Sequence, residues 1–157
     1  MIKLLSNYFE KSIFDCRESI KTFHELDMFK FDKFEQDLRA GQFESNVLVV
    51  EDYQTSTIAN NLSNVFESYS CAFVLLSRYN IRTQENKTEF LDNLEYEINQ
   101  IKAKMIYDKK QKCHFIKGLD VSSMTINRAA DIAEHAIFRC SFNFEHKAVK
   151  LDSQWTK

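Results

Sequence analysis

Between Asn86 and Lys109 the apolar residues of this chain recur at steps of three and four: Leu91, Leu94, Ile98, Ile101 and Met105. That spacing puts them on one face of an α-helix. Asn86 stands where an N-cap is needed, and Glu89 three residues on completes a capping-box pattern. Glu89, Asp92, Glu95 and Glu97 fill the first half, and Lys102, Lys104, Lys109 and Lys110 the second, so the charges match the helix dipole. A long helix with one apolar face must lie on an apolar surface, and the rest of the chain has to supply it.

A strict period of two supplies part of that surface. From Glu134 to His146, Ala136, Phe138, Cys140, Phe142 and Phe144 alternate with Ile137, Arg139, Ser141, Asn143 and Glu145. This reads as a strand with one face on the core and one mainly polar.

The remaining elements follow in chain order. Residues 2–23 read as a helix carrying Ile2, Leu5, Phe9, Ile13, Cys16, Ile20 and Phe23. His24–Phe29 is a turn or a short strand. Asp27 or Asp32 then caps a shorter helix with Phe31, Phe34 and Leu38 inward and Gly41 as its stop. Val47–Tyr53 opens with four β-branched or aliphatic residues, as in a strand covered on both faces. Gln54–Asn64 is polar and reads as a loop or long hairpin arm. Phe66–Arg78 is an apolar strand, and Tyr79–Glu85 a polar turn. After the long helix, His114–Lys117 reads as a short strand ended by Gly118, Val121–Asn127 as another strand, and Arg128–Ala133 as a loop or helical turn. Only one long helix separates strands, so the sheet is expected to be mainly antiparallel or mixed, with that helix packed across it and a helical segment at the N-terminus: an α+β fold.

At 157 residues, 44 % apolar and with 14 Phe, the chain suits one domain, 1–157, with 147–157 as an extended C-terminal arm. It has no Pro and only Gly41 and Gly118, which excludes a glycine-rich phosphate cradle. The net charge of −2 gives no electrostatic reason to expect nucleic acid or an anionic membrane as the main partner. The first half is the more acidic, a polarity suited to subunits meeting head to tail. Cys16, Cys71, Cys113 and Cys140 lack paired metal or redox spacing and sit mostly in apolar patterns, as expected of free thiols in a reducing cytoplasm. No signal peptide and no apolar run near the length of a membrane span are expected.

Candidate chemistry is sparse. Cys113 and His114 are adjacent, which on a strand points them to opposite faces, so a small cysteine-dependent enzyme is the alternative rather than the leading reading. Glu134-His135 lacks the second His of a zinc helix, and His24, His114, His135 and His146 are scattered, so no metal, cofactor or catalytic residue is assigned. Glu95 and Glu97 diverge on a helix; Asp131 and Glu134 are close enough to face each other. Lys109, Lys110 and Lys112 form a basic patch that a nucleic-acid-binding adaptor would use, against the simpler reading of a helix end matched to its dipole. Phe23, Phe29, Phe31 and Phe34 are expected in the core or at a subunit interface.

The order Cys71-Ala-Phe-Val-Leu-Leu, a polar connector, a charged helix with Ile101-Lys-Ala-Lys-Met105, Tyr107-Asp108, Phe115-Ile-Lys-Gly-Leu-Asp120, Ser122-Ser123, Ile137-Phe-Arg-Cys-Ser-Phe142 and a closing Trp155 covers about residues 45–157. It resembles the small neck and tail-end proteins of tailed bacteriophages, such as tail terminators and head-to-tail connector rings, in particular those of phages infecting Bacteroides-type bacteria. The resemblance implies a non-enzymatic structural protein of the virion, assembled in the host bacterial cytoplasm. Its partners would be itself, as a closed ring of six or twelve copies, then the portal or other neck and tail proteins, and DNA passing through the lumen, with no membrane. Such a ring needs arms that reach a neighbour. Gln54, Thr55, Ser56, Thr57 and Ile58 in the polar stretch, and Trp155 in a tail otherwise apolar only at Val149 and Leu151, are the expected inter-subunit contacts.

Overall fold

A computed structural model describes residues 2–26, 31–43, 46–51, 54–61, 64–79, 86–111, 116–132 and 134–147. The strands are β1 (Thr22–Leu26), β2 (Val47–Glu51), β3 (Gln54–Asn61), β4 (Asn64–Arg78), β5 (Leu119–Ile132) and β6 (His135–Lys147). The α-helices are α1 (Ile2–Tyr8), α2 (Phe31–Arg39) and α3 (Lys87–Lys110). The six strands form one mixed sheet in the order β1-β2-β4-β6-β5, with β3 paired to β4. The fold is therefore α+β, as the spacing predicts.

β4 and β6 form the spine, antiparallel from Phe66 opposite Lys147 to Arg78 opposite His135. On one sheet face, Leu48, Val50, Phe73, Leu75, Phe138, Cys140, Phe142 and Phe144 make a single core with Leu94, Ile98, Ile101 and Met105 of α3. The last three of these helix residues are completely buried. The Asn86 side chain accepts hydrogen bonds from the backbone N–H groups of Thr88 and Glu89, at 3.1 and 3.3 Å, and so caps α3 as its sequence predicts.

The expected helix over 2–23 is corrected. α1 gives way to a π-helical turn at Phe9–Ile13 and a 3-10 turn at Phe14–Cys16, and the chain then extends at Arg17. The wide turn sits where Phe9 enters the core between Phe73 and Phe142, with ring centroids 5.1 and 6.3 Å away. Thr22–Leu26 becomes a strand because Val47–Glu51 offers it a parallel ladder, opened by the Lys21 N–H to Asn46 carbonyl bond of 2.9 Å. Ile20 and Phe23 still face the core, so helical spacing here was the by-product of a turn followed by a strand.

β1, α2 and β2 form a parallel crossover, which places α2 on the opposite sheet face. There Phe34 and Leu38 pack with Phe43, Val47, Val49, Val74, Leu76 and Ile137. α2 ends at Gly41, whose φ of 71° is left-handed and whose N–H bonds the Leu38 carbonyl, as expected of a glycine stop.

Two further expectations change. Ile116–Gly118 is a 3-10 turn rather than a strand, because the chain must reverse between α3 and β5 within a few residues. Arg128–Ile132 continues β5 rather than forming a loop or helical turn, since pairing to Phe138, Ile137 and His135 of β6 satisfies its backbone. Gln54–Asn61 is the near strand of a hairpin arm, the second of the two forms the polar stretch allows. His114, Phe29 and Asp27 lie outside the described residues.

Candidate assembly surface

β3 continues the line of β2 along the same side of β4. β2 occupies Phe73–Leu76 of β4, and β3 occupies Asn64–Ser70. β1 accompanies β2 only as far as Glu51. Among the described residues, no strand therefore pairs with the outer side of β3. On the other margin of the sheet, among the described residues, β5 pairs only with β6. Among the described residues the sheet thus has unpaired strand margins on opposite sides, β1 and β3 on one and β5 on the other, an arrangement that allows strand pairing between copies.

The two edges differ in chemistry. β5 is guarded: its register to β6 breaks between Asp120 and Thr125, and it carries charge at Arg128 and Asp131. Arg128 pairs with Asp131 at 3.2 Å, and Lys87 at the start of α3 reaches Asp131 at 3.7 Å. The break is built by Asp120, which accepts from the Ser122 N–H and hydroxyl, and by Ser123, which donates to the Asp120 carbonyl. Those Ser122 bonds hold the Asp120 carboxyl below its usual range. β3 has the sequence QTSTIANN, with no charge and no proline. Its register to β4 is regular from Gln54 to Ala59 and shifts only at the tip.

The expected contact residues fall on this arm. Gln54, Thr55 and Ser56 are exposed, opposite Ser70, Tyr69 and Ser68, and Thr57 and Ile58 follow opposite Glu67 and Phe66. Beside them Ser70 donates to Asn143 at 3.1 Å. Farther along, Arg139 reaches over β4 to grip both carboxylate oxygens of Glu51 at 2.7–3.0 Å. That hydrogen bonding raises the Arg139 pKa. Trp155 lies outside the described residues.

The basic patch is partly absorbed by the fold. Lys109 donates to the Leu119 carbonyl, joining α3 to the start of β5. Lys102 does the same to Met124 at 3.2 Å, and Lys104 pairs with Asp108 at 2.5 Å. Asp108 is buried and also accepts from the Tyr8 hydroxyl at 2.8 Å. Lys110 is exposed, and Lys112 lies outside the described residues.

The thiols divide sharply. Burial pushes the Cys71 thiol up to about 12 and the Cys140 thiol up to about 11, so neither is a nucleophile near neutrality. Cys16 is exposed and borders a cleft of ≈ 360 Å³ with Ile13, Arg17, Gln100, Ile101 and Lys104. His24 and His135 belong to the α2 side of the sheet, away from this cleft: the His24 ring packs against Phe34 and Phe43, and His135 Nε2 lies 2.7 Å from the Phe43 carbonyl. Arg17 is held by Glu97 at 2.6 Å. Asp131 pairs with Arg128 and Lys87, and Glu134 binds Arg78 at 3.2 Å. Cys113 lies outside the described residues, and among those described no group of His, Cys, Asp and Glu is arranged to hold a metal.

Comparison of the chain with models of protein families gives no match, and comparison with curated proteins gives none either. Among the described residues no helix is long and apolar enough to cross a membrane. What sequence reasoning missed is the openness of the β3 margin. Its own residues carry no signal for it, because it depends on where β1 and β2 lie beside β4.

Proposed function

We propose that this chain is a structural subunit that closes into a ring in the neck or tail end of a tailed bacteriophage, as a tail terminator or head-to-tail connector. The observation that supports the reading is that, among the described residues, strand margins are unpaired on opposite sides of the sheet, β1 and the β3 hairpin strand on one and β5 on the other. Opposite, non-identical surfaces join copies head to tail, and a constant rotation per step closes a ring. The mechanism is mechanical: burial between neighbours seals a conduit for DNA, and the ring's two faces dock the portal or the adjoining neck and tail proteins. The subunit would work in the virion after assembly in the bacterial cytoplasm.

Native mass measurement and negative-stain imaging at high protein concentration test this reading. The expected result is a closed ring of six or twelve copies. A chain that stays monomeric and also fails to bind purified portal or tail complexes refutes it.

A further inference from the structure

The side of α3 turned away from the sheet carries a second repeat. The inward face is Leu94, Ile98, Ile101 and Met105. Half a turn round the helix, Asp92, Tyr96, Gln100, Ala103, Tyr107 and Lys110 form an outer stripe at helical steps of three and four. Among the described residues three large apolar side chains are exposed: Leu4, Tyr96 and Tyr107. Two of the three therefore stand on this one stripe, Tyr96 60 % and Tyr107 57 % exposed. Ala103 between them is exposed as well, and its small side chain lets another backbone come close. Tyrosine offers a large apolar body with a polar tip, which suits a surface that is covered by a partner.

The charges at the two ends of the stripe say what covers it. Asp92 and Lys110 are both exposed. They stand five helical turns apart, and so on the same flank. Glu97 and Lys104, farther round, are already committed within the chain to Arg17 and Asp108. A second α3 laid antiparallel across the first brings Asp92 of each copy to Lys110 of the other, so symmetry makes the contact twice. Parallel helices would set like charges together. In the antiparallel register Tyr96 faces Tyr107, Gln100 faces Ala103, and the two helix dipoles oppose. The cleft of ≈ 360 Å³ opens beside the stripe, with Gln100, Ala103 and Tyr107 in its wall. It gives the incoming Tyr96 ring a recess that Ile13 and Ile101 also line.

We infer that this chain pairs with a second copy of itself through the outer face of α3, the two helices antiparallel about a two-fold axis level with Ile101 and Lys102. One surface is used twice, so the contact is isologous. It goes beyond the ring reading and does not depend on it, since a ring of this kind joins two different surfaces at the sheet margins. A single helix pair is a small interface, below about 1,200 Å² in total, so the pair forms at micromolar rather than nanomolar chain concentrations.

Sedimentation equilibrium of the full-length chain, from about 1 μM to about 1 mM, tests it. The expected result is a monomer–dimer equilibrium whose dissociation constant rises about tenfold or more in Tyr96→Glu. If the chain closes into rings, pairing reads instead as a doubling of the ring mass. Asp92→Lys and Lys110→Glu should each weaken pairing about threefold or more, because each sets two like-charge contacts in the pair. An equimolar mixture of those two variants should regain the parent's affinity, since every contact in the mixed pair is again between opposite charges. A chain carrying both changes should regain it too. Far-UV circular dichroism checks that each variant is folded; Asp92 and Lys110 are exposed, so both reversals leave the core as it is. A parent that stays monomeric throughout the range overturns the inference and leaves the face to a different protein or to another segment of the chain. So do single reversals that leave affinity unchanged, or a mixture as weak as either variant alone. Rings whose mass none of these variants alters keep the ring reading and remove the pairing. Pairs that obey the charge swap in a chain that closes no ring keep the pairing alone.

Discussion

Gly118 is the position where one added methyl group tests the packing most directly. It closes the 3-10 turn between α3 and β5, and a Cβ built there would collide with the backbone oxygen of Glu145. Contacts under 3.0 Å are essentially never made by real Cβ atoms, so Gly118→Ala must move one backbone against the other. The obstacle is no flexible side chain: Glu145 belongs to β6 and pairs with Ser68 on the hairpin arm. Forced overpacking of this kind costs about 1–3 kcal/mol. For a chain of this size the melting temperature should fall by roughly 2–12 °C. Thermal unfolding followed by far-UV circular dichroism measures the loss, and urea titration with an unchanged slope shows that it is stability that changed. Gly41 separates close approach from backbone strain. Its φ is 71°, its nearest obstacle is the Arg78 side chain at 3.3 Å, and Asn adopts that backbone conformation more readily than most residues. Gly41→Asn should therefore be tolerated better than Gly41→Ala, whereas Gly118→Asn should be at least as damaging as Gly118→Ala. A Gly118→Ala protein melting within about 1 °C of the parent would refute the reasoning.

Three further outcomes are expected. With a mild alkylating agent at pH 8, Cys16 should react well before Cys71 and Cys140, as read by peptide mass spectrometry; equal labelling of all three in the folded chain would contradict their burial. Burial lowers the His24 pKa, with Asp37 opposing, and its Nε2 is buried without a hydrogen-bond partner. The unfolded chain takes up a proton near pH 6.5 while the folded chain resists, so stability should be full above that pH and fall as pH drops below it. Urea midpoints at about pH 7.5 and 5.5 should differ less in His24→Phe than in the parent. Asn86→Ala should cost about 1 kcal/mol by removing the cap of α3, measured by urea unfolding.

Periodicity carried much of the fold. The apolar stripe of α3 and the alternation of β6 each identify an element, its inward face and its partner surface, because burying a repeated side-chain pattern leaves few alternatives. Gly41 as a helix stop and Asn86 as a cap were legible for a local reason: each answers a backbone requirement within a few residues. The sequence likewise showed that Gln54–Asn64 is polar, but left it open between a loop and a hairpin arm.

Tertiary structure decided what depends on residues far apart in the chain. Thr22–Leu26 is a strand only because β2 stands beside it, and the π turn at Phe9 exists where that ring meets Phe73 and Phe142. Of the lysines weighed as a basic patch, Lys109 is spent on the Leu119 carbonyl, a contact that only the packing of α3 against β5 creates. Whether the β3 edge is open could not be read from its own residues, since openness depends on where β1 ends and on which side of β4 the arm lies. Local propensity is written in neighbouring residues, but pairing and exposure are properties of the assembled sheet.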